Sequence, residues 1–157
     1  MEGPWEKGSK LCDIATSAAG DCKGGKSCYE VADEMQADAA RALSLIKPLK
    51  SGGDAQLEAA LSNIRQMACL SAYYAHMVRG ATLKKAGERS KARDEMAKAC
   101  GCWMAYSRLM ARSYHPESFR NLAIAPDWTF ADAAVLKEYT DLGGKGIPEY
   151  SPLDDLK

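Results

Sequence analysis

The sequence predicts an all-α protein: a bundle of three long antiparallel helices, a short C-terminal helix and an irregular N-terminal segment. Three observations carry this. Apolar residues recur at helical spacing through three long stretches, each opening on a capping residue and closing on Gly or Pro. The link between the second and third stretches is so short that those two helices must run antiparallel. No apolar-polar alternation is long enough for a strand.

Up to Lys26, only a turn or two of helix is expected, around Leu11 to Ala19. Ser27-Cys28-Tyr29-Glu30 then matches a capping box, in which Ser accepts from an orphan N–H and Glu reaches back to the cap. Val31, Met35, Ala39, Ala42, Ile46 and Leu49 follow at helical spacing, and Pro48 with Ser51-Gly52-Gly53 ends a first long helix of about 28 to 48. Asp54 is the expected N-cap of the second. Its main stripe reads Leu57, Leu61, Ile64, Met67 or Ala68, Ser71, Tyr74, Val78 and Ala81, with Leu70, Tyr73 and Met77 as a second flank. So apolar a circumference predicts a central helix with neighbours on two sides. Gly80 lies inside it, where Ala would be better by about 1 kcal/mol, and is read as a close helix approach.

Gly87 ends this helix, with Lys84 and Lys85 suiting the dipole in its last turn. A third long helix is expected from about Ser90 to Tyr114, burying Ala92, Met96, Ala99, Trp103, Tyr106, Met110 and Tyr114. Pro116 closes it. Beyond Pro126, Thr129-Phe130-Ala131-Asp132 opens a short helix that Gly143-Gly144 terminates. The chain thus divides into an irregular segment 1–26, a helical bundle 27–146 and an extended tail 147–157.

Composition sets outer bounds. The 157 residues are 46% hydrophobic and 27% charged, the balance of an ordinary globular domain. Twenty-one basic residues match 21 acidic ones, so nothing steers the chain toward nucleic acid or a charged membrane surface. No run reaches the roughly 20 apolar residues of a membrane span. The N-terminus has no apolar signal core, and the reading expects a piece of a longer polypeptide, secreted or periplasmic if that polypeptide degrades polysaccharide.

The reactive side chains assemble into no recognised catalytic set. Neither His76 nor His115 has the Glu-x-x-His partner of a di-metal carboxylate bundle, Tyr73 and Arg112 standing in that place. There is no His-Glu-x-x-His, Cys-x-x-Cys or phosphate loop. Cys100 and Cys102 lie roughly 200° apart round a helix, so they do not chelate one ion together unless Gly101 breaks it. No catalytic residue, metal or cofactor is therefore assigned. Two disulfides are open to the cysteines: Cys22 with Cys28 across a Gly/Lys/Ser-rich loop, and Cys69 with Cys100 or Cys102 across the hairpin. The other reading keeps all six as free thiols in a helical core.

Candidate ligand-binding residues are Asp127, Trp128, His76 and Arg79. Asp127-Trp128 precedes the last helix, where indole stacks on a sugar ring and carboxylate accepts hydroxyls, or where the pair anchors and caps that helix. His76 lies among apolar neighbours, where a hydrogen-bonded core imidazole is the commoner outcome. Tyr73, Tyr74, Trp103 and Tyr106 form an aromatic cluster expected in the core.

The succession Asn63-Ile64-Arg65-Gln66-Met67-Ala68, Tyr73-Tyr74-Ala75, Arg79-Gly80-Ala81, Trp103-x-x-Tyr106, Tyr114-x-Pro116 and Asp127-Trp128 resembles the C-terminal helical region of large bacterial glycoside-hydrolase-like proteins. Tyr29 to Asp33 and Ala42-Leu43 fit the same pattern, so the resemblance spans roughly Leu11 to Leu142. Two positions depart from it: Asn63 stands where the family-like motif has Asp, and His76 where a Lys is common. The resemblance implies a non-catalytic accessory domain of a carbohydrate-active enzyme, with acid and nucleophile on a separate barrel. Its partner would be the catalytic module of the same polypeptide, with carbohydrate as a further contact. Two alternatives stand beside it: a stand-alone helical module that binds another protein, and a small thiol- or metal-binding helical protein.

Overall fold

The structure is a computed structural model that describes residues 11–113, 128–148 and 150, and the side chains of all of these except 128–131. The described residues form helices α1 (Ile14–Ala19), α2 (Cys28–Ile46), α3 (Ala55–Lys85), α4 (Arg89–Ser113) and α5 (Trp128–Asp141), with no strand beyond an isolated bridge between Leu11 and Lys26.

Local chemistry sets the ends of these helices. Asp13 caps α1 by accepting from the Thr16 amide at 2.7 Å, and Gly20 closes it at φ 71°, in the left-handed region that disfavours a Cβ. Ser27 and Glu30 make the complete capping box expected for α2. Asp54 accepts from the amides of Gln56 and Leu57 at the start of α3. Gly87 turns the chain into α4 at φ 83°.

Helix α3 is the centre. It packs on α2, on α4 and on α1, while α5 packs on α4. Which face it buries differs from the expected stripe. Leu61 and Ala68 are buried as read, but so are Cys69, Ala72, Ala75, His76 and Gly80, whereas Ile64, Met67 and Tyr74 are 37%, 63% and 50% exposed. The reason is distance: small side chains let helix backbones approach, so neighbours settle on the alanine-rich face and leave larger residues at the margin. At Gly80 the approach is measurable, since a Cβ there would stand 2.9 Å from Met96 Cε. On α2 the buried residues are Ala32, Ala39 and Ile46, while Leu49 lies outside on the surface.

On α4, Ala92, Met96 and Ala99 are buried as expected, but Trp103, Tyr106 and Met110 are only partly so. The expected Tyr114 contact lies outside the described residues. The core has two centres. Ala39, Ala68, Ala72 and Cys102 pack with Leu43, Tyr73 and Tyr150; Ala92, Met96 and Leu142 pack with Met77, Leu83 and Tyr139. Tyr150 thus brings the tail back onto the bundle, against Gly101, whose missing side chain leaves room for it.

Candidate functional site

His76 and Arg79 stand three residues apart on α3, yet each ties it to a different neighbour. Arg79 reaches α2, pairing with Asp33 and donating to the Gln36 side-chain carbonyl. His76 reaches α4: its Nδ1 lies 2.7 Å from Glu95 Oε2, with the imidazole only 2% exposed. The other Glu95 oxygen accepts from Lys98 Nζ at 3.0 Å. Burial alone would push the Glu95 carboxyl up, but the hydrogen bonds and charges of His76 and Lys98 reverse this and hold it at about 2. An ionised carboxylate only accepts, so Nδ1 is the donor. His76 Nε2 is buried without a hydrogen-bond partner among the described residues, and the ring meets that of Tyr150 edge-on at 5.8 Å.

A base oriented by a carboxylate is two-thirds of a nucleophilic triad. The thiols of the core are poor candidates for the remaining third. Burial pushes Cys69 and Cys100 up to about 11, which keeps them protonated at neutral pH. Cys100 Sγ is moreover committed to the Val135 carbonyl at 3.5 Å. The polar seam between α3 and α4 continues at its far end, where buried Gln66 donates to Ser62 and Ser113. These groups satisfy one another, which is the behaviour of a buried polar network holding two helices in register.

Two concave surfaces flank α3. A groove of about 430 Å³ runs between α2 and α3, walled by Ala39, Ala42, Ile64, Met67 and Ala68 and edged by Asp38 and Asn63. A polar cleft of about 630 Å³ opens between the start of α3 and the end of α4, lined by Glu58, Asn63, Arg65, Leu109 and Arg112. The run Asn63-Ile64-Arg65-Gln66-Met67 therefore divides between them. Ile64 and Met67 face the apolar groove, Arg65 the polar cleft, and Asn63 borders both. No spacing in the sequence marks this division, because it depends on where α2 and α4 lie round α3.

Asp127 lies outside the described residues, as does the side chain of Trp128, whose backbone opens α5. The residue that does join α5 to α4 is Asp132, accepting from Trp103 Nε1 at 2.6 Å and from Ser107 Oγ at 3.4 Å. Trp103 in turn stacks obliquely with Tyr73 and Tyr106. This arrangement makes the aromatic cluster a joint between helices α3, α4 and α5.

None of the six cysteines is in a disulfide, including the Cys22, Cys28, Cys69, Cys100 and Cys102 named as candidate disulfide partners. Among the described residues no group of three His, Cys, Asp or Glu side chains is placed to hold a metal ion, and no helix is long and apolar enough to cross a membrane. No family model, curated protein or solved structure matches this chain.

Proposed function

We propose that this chain is a non-catalytic accessory helical domain of a polysaccharide-degrading enzyme, seated on the catalytic module of the same polypeptide through the groove between α2 and α3. The observation that carries the docking half is the groove itself. Ile64 and Met67 project apolar surface beside Ala39, Ala42 and Ala68, a patch poor in charge like the buried centre of an interface. The polysaccharide half rests on the resemblance of the ordered motifs from Asn63 to Trp128. In this reading the three long helices form an antiparallel bundle, supported between α3 and α4 by the contacts of Ser62 with Ser113 and His76 with Glu95, and between α2 and α3 by those of Ser71 with Met35 and Arg79 with Asp33. Asn63 and Arg65 line the adjoining polar cleft and would shape one edge of the substrate path.

Hydrogen exchange on the whole native polypeptide, compared with the isolated chain, tests this. Amides around 38–42 and 63–71 gain protection when the catalytic module is present, and Met67→Glu removes that gain. Equal protection in both, or a native gene that encodes no carbohydrate-active module, overturns the proposal. If protection appears instead on adding a separate protein, the groove belongs to a stand-alone interaction module.

A further inference from the structure

Three of the six cysteines come together at the N-terminal end of the molecule, around the hydroxyl of Ser17. Ser17 Oγ lies 3.6 Å from Cys22 Sγ and accepts from the Cys28 amide at 2.9 Å. Cys28 Sγ donates to the Cys12 carbonyl at 3.5 Å. The Cys12 amide in turn donates to the Lys26 carbonyl at 2.9 Å, so the backbone entering α1 is fastened to the backbone entering α2. Cys12 and Cys22 flank α1, outside its caps Asp13 and Gly20, and the Cys12 side chain is turned toward Cys22. All three thiols are half-buried, unlike Cys69, Cys100 and Cys102. Cys22 also lines an open cleft of about 550 Å³, bordered by Gly20, Ser27, Tyr29, Ala86 and Glu88, which gives a small molecule a path to its sulfur.

We propose that Cys12 and Cys22 form a redox-exchangeable disulfide that closes a loop around α1, made by exchange with a small-molecule disulfide of the glutathione class, with Cys28 remaining a thiol. In the first step Cys22 gives its proton to solvent and its sulfur attacks one sulfur of the incoming disulfide. That S–S bond breaks, and the departing thiolate takes a proton from water. In the second step Cys12 gives its proton to solvent and its sulfur attacks Cys22 Sγ. The new S–S bond forms as the second small thiolate leaves and is protonated. Two cysteine thiols are oxidised by two electrons, and one small disulfide is reduced to two thiols.

The geometry selects this pair over the others. Cys28 is held in the first turn of α2 with its thiol spent on the Cys12 carbonyl, whereas the Cys12 thiol turns to Cys22. That hydrogen bond is the main cause that pushes Cys12 up to about 11, with its burial and the neighbouring Cys22 charge adding to it. Cys22, the sulfur on the cleft, is the one a small disulfide reaches from solvent, so it is the first nucleophile and Cys12 the second. Closing the loop removes freedom from the unfolded chain and holds the two ends of the α1 segment together.

The test equilibrates the whole chain in buffers of reduced and oxidised glutathione, traps free thiols with an alkylating agent, and digests with trypsin. Cys12 and Cys22 fall in one peptide, Leu11–Lys23, and Cys28 in another, Ser27–Arg41. The expected product is Leu11–Lys23 closed on itself, two hydrogens lighter and unalkylated, beside an alkylated Ser27–Arg41. The melting temperature rises by about 5 °C on oxidation. Cys28→Ser retains both results and Cys12→Ser loses both. A cross-link between the two peptides, a peptide that stays a mixed disulfide with glutathione, or full alkylation at every redox ratio overturns the proposal.

Discussion

At Glu95, burial and hydrogen bonding act on one carboxyl in opposite directions, and hydrogen bonding prevails. Its folded pKa of about 2 lies below the ordinary 4.5, so the stabilisation it confers is complete above about pH 4.5 and is lost as the pH falls toward 2. Glu95→Gln should cost about 2 kcal/mol at pH 7, because it leaves His76 and Lys98 without their carboxylate. In urea denaturation the variant should also show a shallower loss of stability between pH 5 and pH 2 than the parent chain. Thiol reactivity separates the cysteines in the same residue-by-residue way. A chromogenic disulfide reagent at pH 8 should consume the thiols of Cys22 and Cys28 in the folded protein, and that of Cys12 only after Cys22 has reacted. Cys69, Cys100 and Cys102 should react only on unfolding, because they are buried, and burial raises the first two of the α3–α4 thiols, Cys69 and Cys100, to about 11. A fast reaction of Cys69 in the native state would contradict this packing.

Single residues also govern whole elements at two points. Ser27 begins α2 with a reciprocal pair of bonds to Glu30, so Ser27→Ala should cost about 1 kcal/mol, read as a lower melting temperature. Gly101 lies in α4 under the returning tail, and a Cβ there would stand 2.5 Å from the Tyr150 carbonyl oxygen. A backbone group cannot swing aside as a methionine tip can. Gly101→Ala should therefore release the Tyr150 segment and cost about 2 kcal/mol by overpacking, despite the better helix propensity of Ala. Loss of protection against proteolysis after Lys145 would report that release directly. Gly80 presents the milder case, since the atom it would meet is the flexible end of Met96.

At the scale of the whole molecule, the apolar groove between α2 and α3 has core residues Ala39 and Ala68 in its wall, while Ile64 and Met67 stand exposed at its margin. Met67→Glu should accordingly change stability by less than about 0.5 kcal/mol while abolishing the docking proposed above, a separation that thermal melting and hydrogen exchange measure independently. An equally large loss of stability would place Met67 in the fold and not in an interface. The division of roles across α3 makes this separation expected: its small residues hold the bundle, Gln66 and His76 tie it to α4, and its large apolar residues Ile64 and Met67 lie toward the margin.

The sequence by itself determined the helices. Ser27, Asp54 and Gly87 mark ends that follow from hydrogen bonds within four residues and from backbone conformations open to glycine, and both are local quantities. The central place of α3 was legible too, because its apolar circumference calls for neighbours on two sides. Only the tertiary structure decided which face each helix buries. Periodicity gave Ile64, Met67 and Tyr74 the same weight as Ala68 and Ala72, but the closeness of helix packing depends on side-chain size across two surfaces at once. The same holds for the pairing of His76 with Glu95, the division of the Asn63 to Met67 run between two clefts, and the meeting of Cys12 with Cys22 around α1. Each joins groups whose separation is set by the path of the chain in space, and no spacing along one helix encodes that distance.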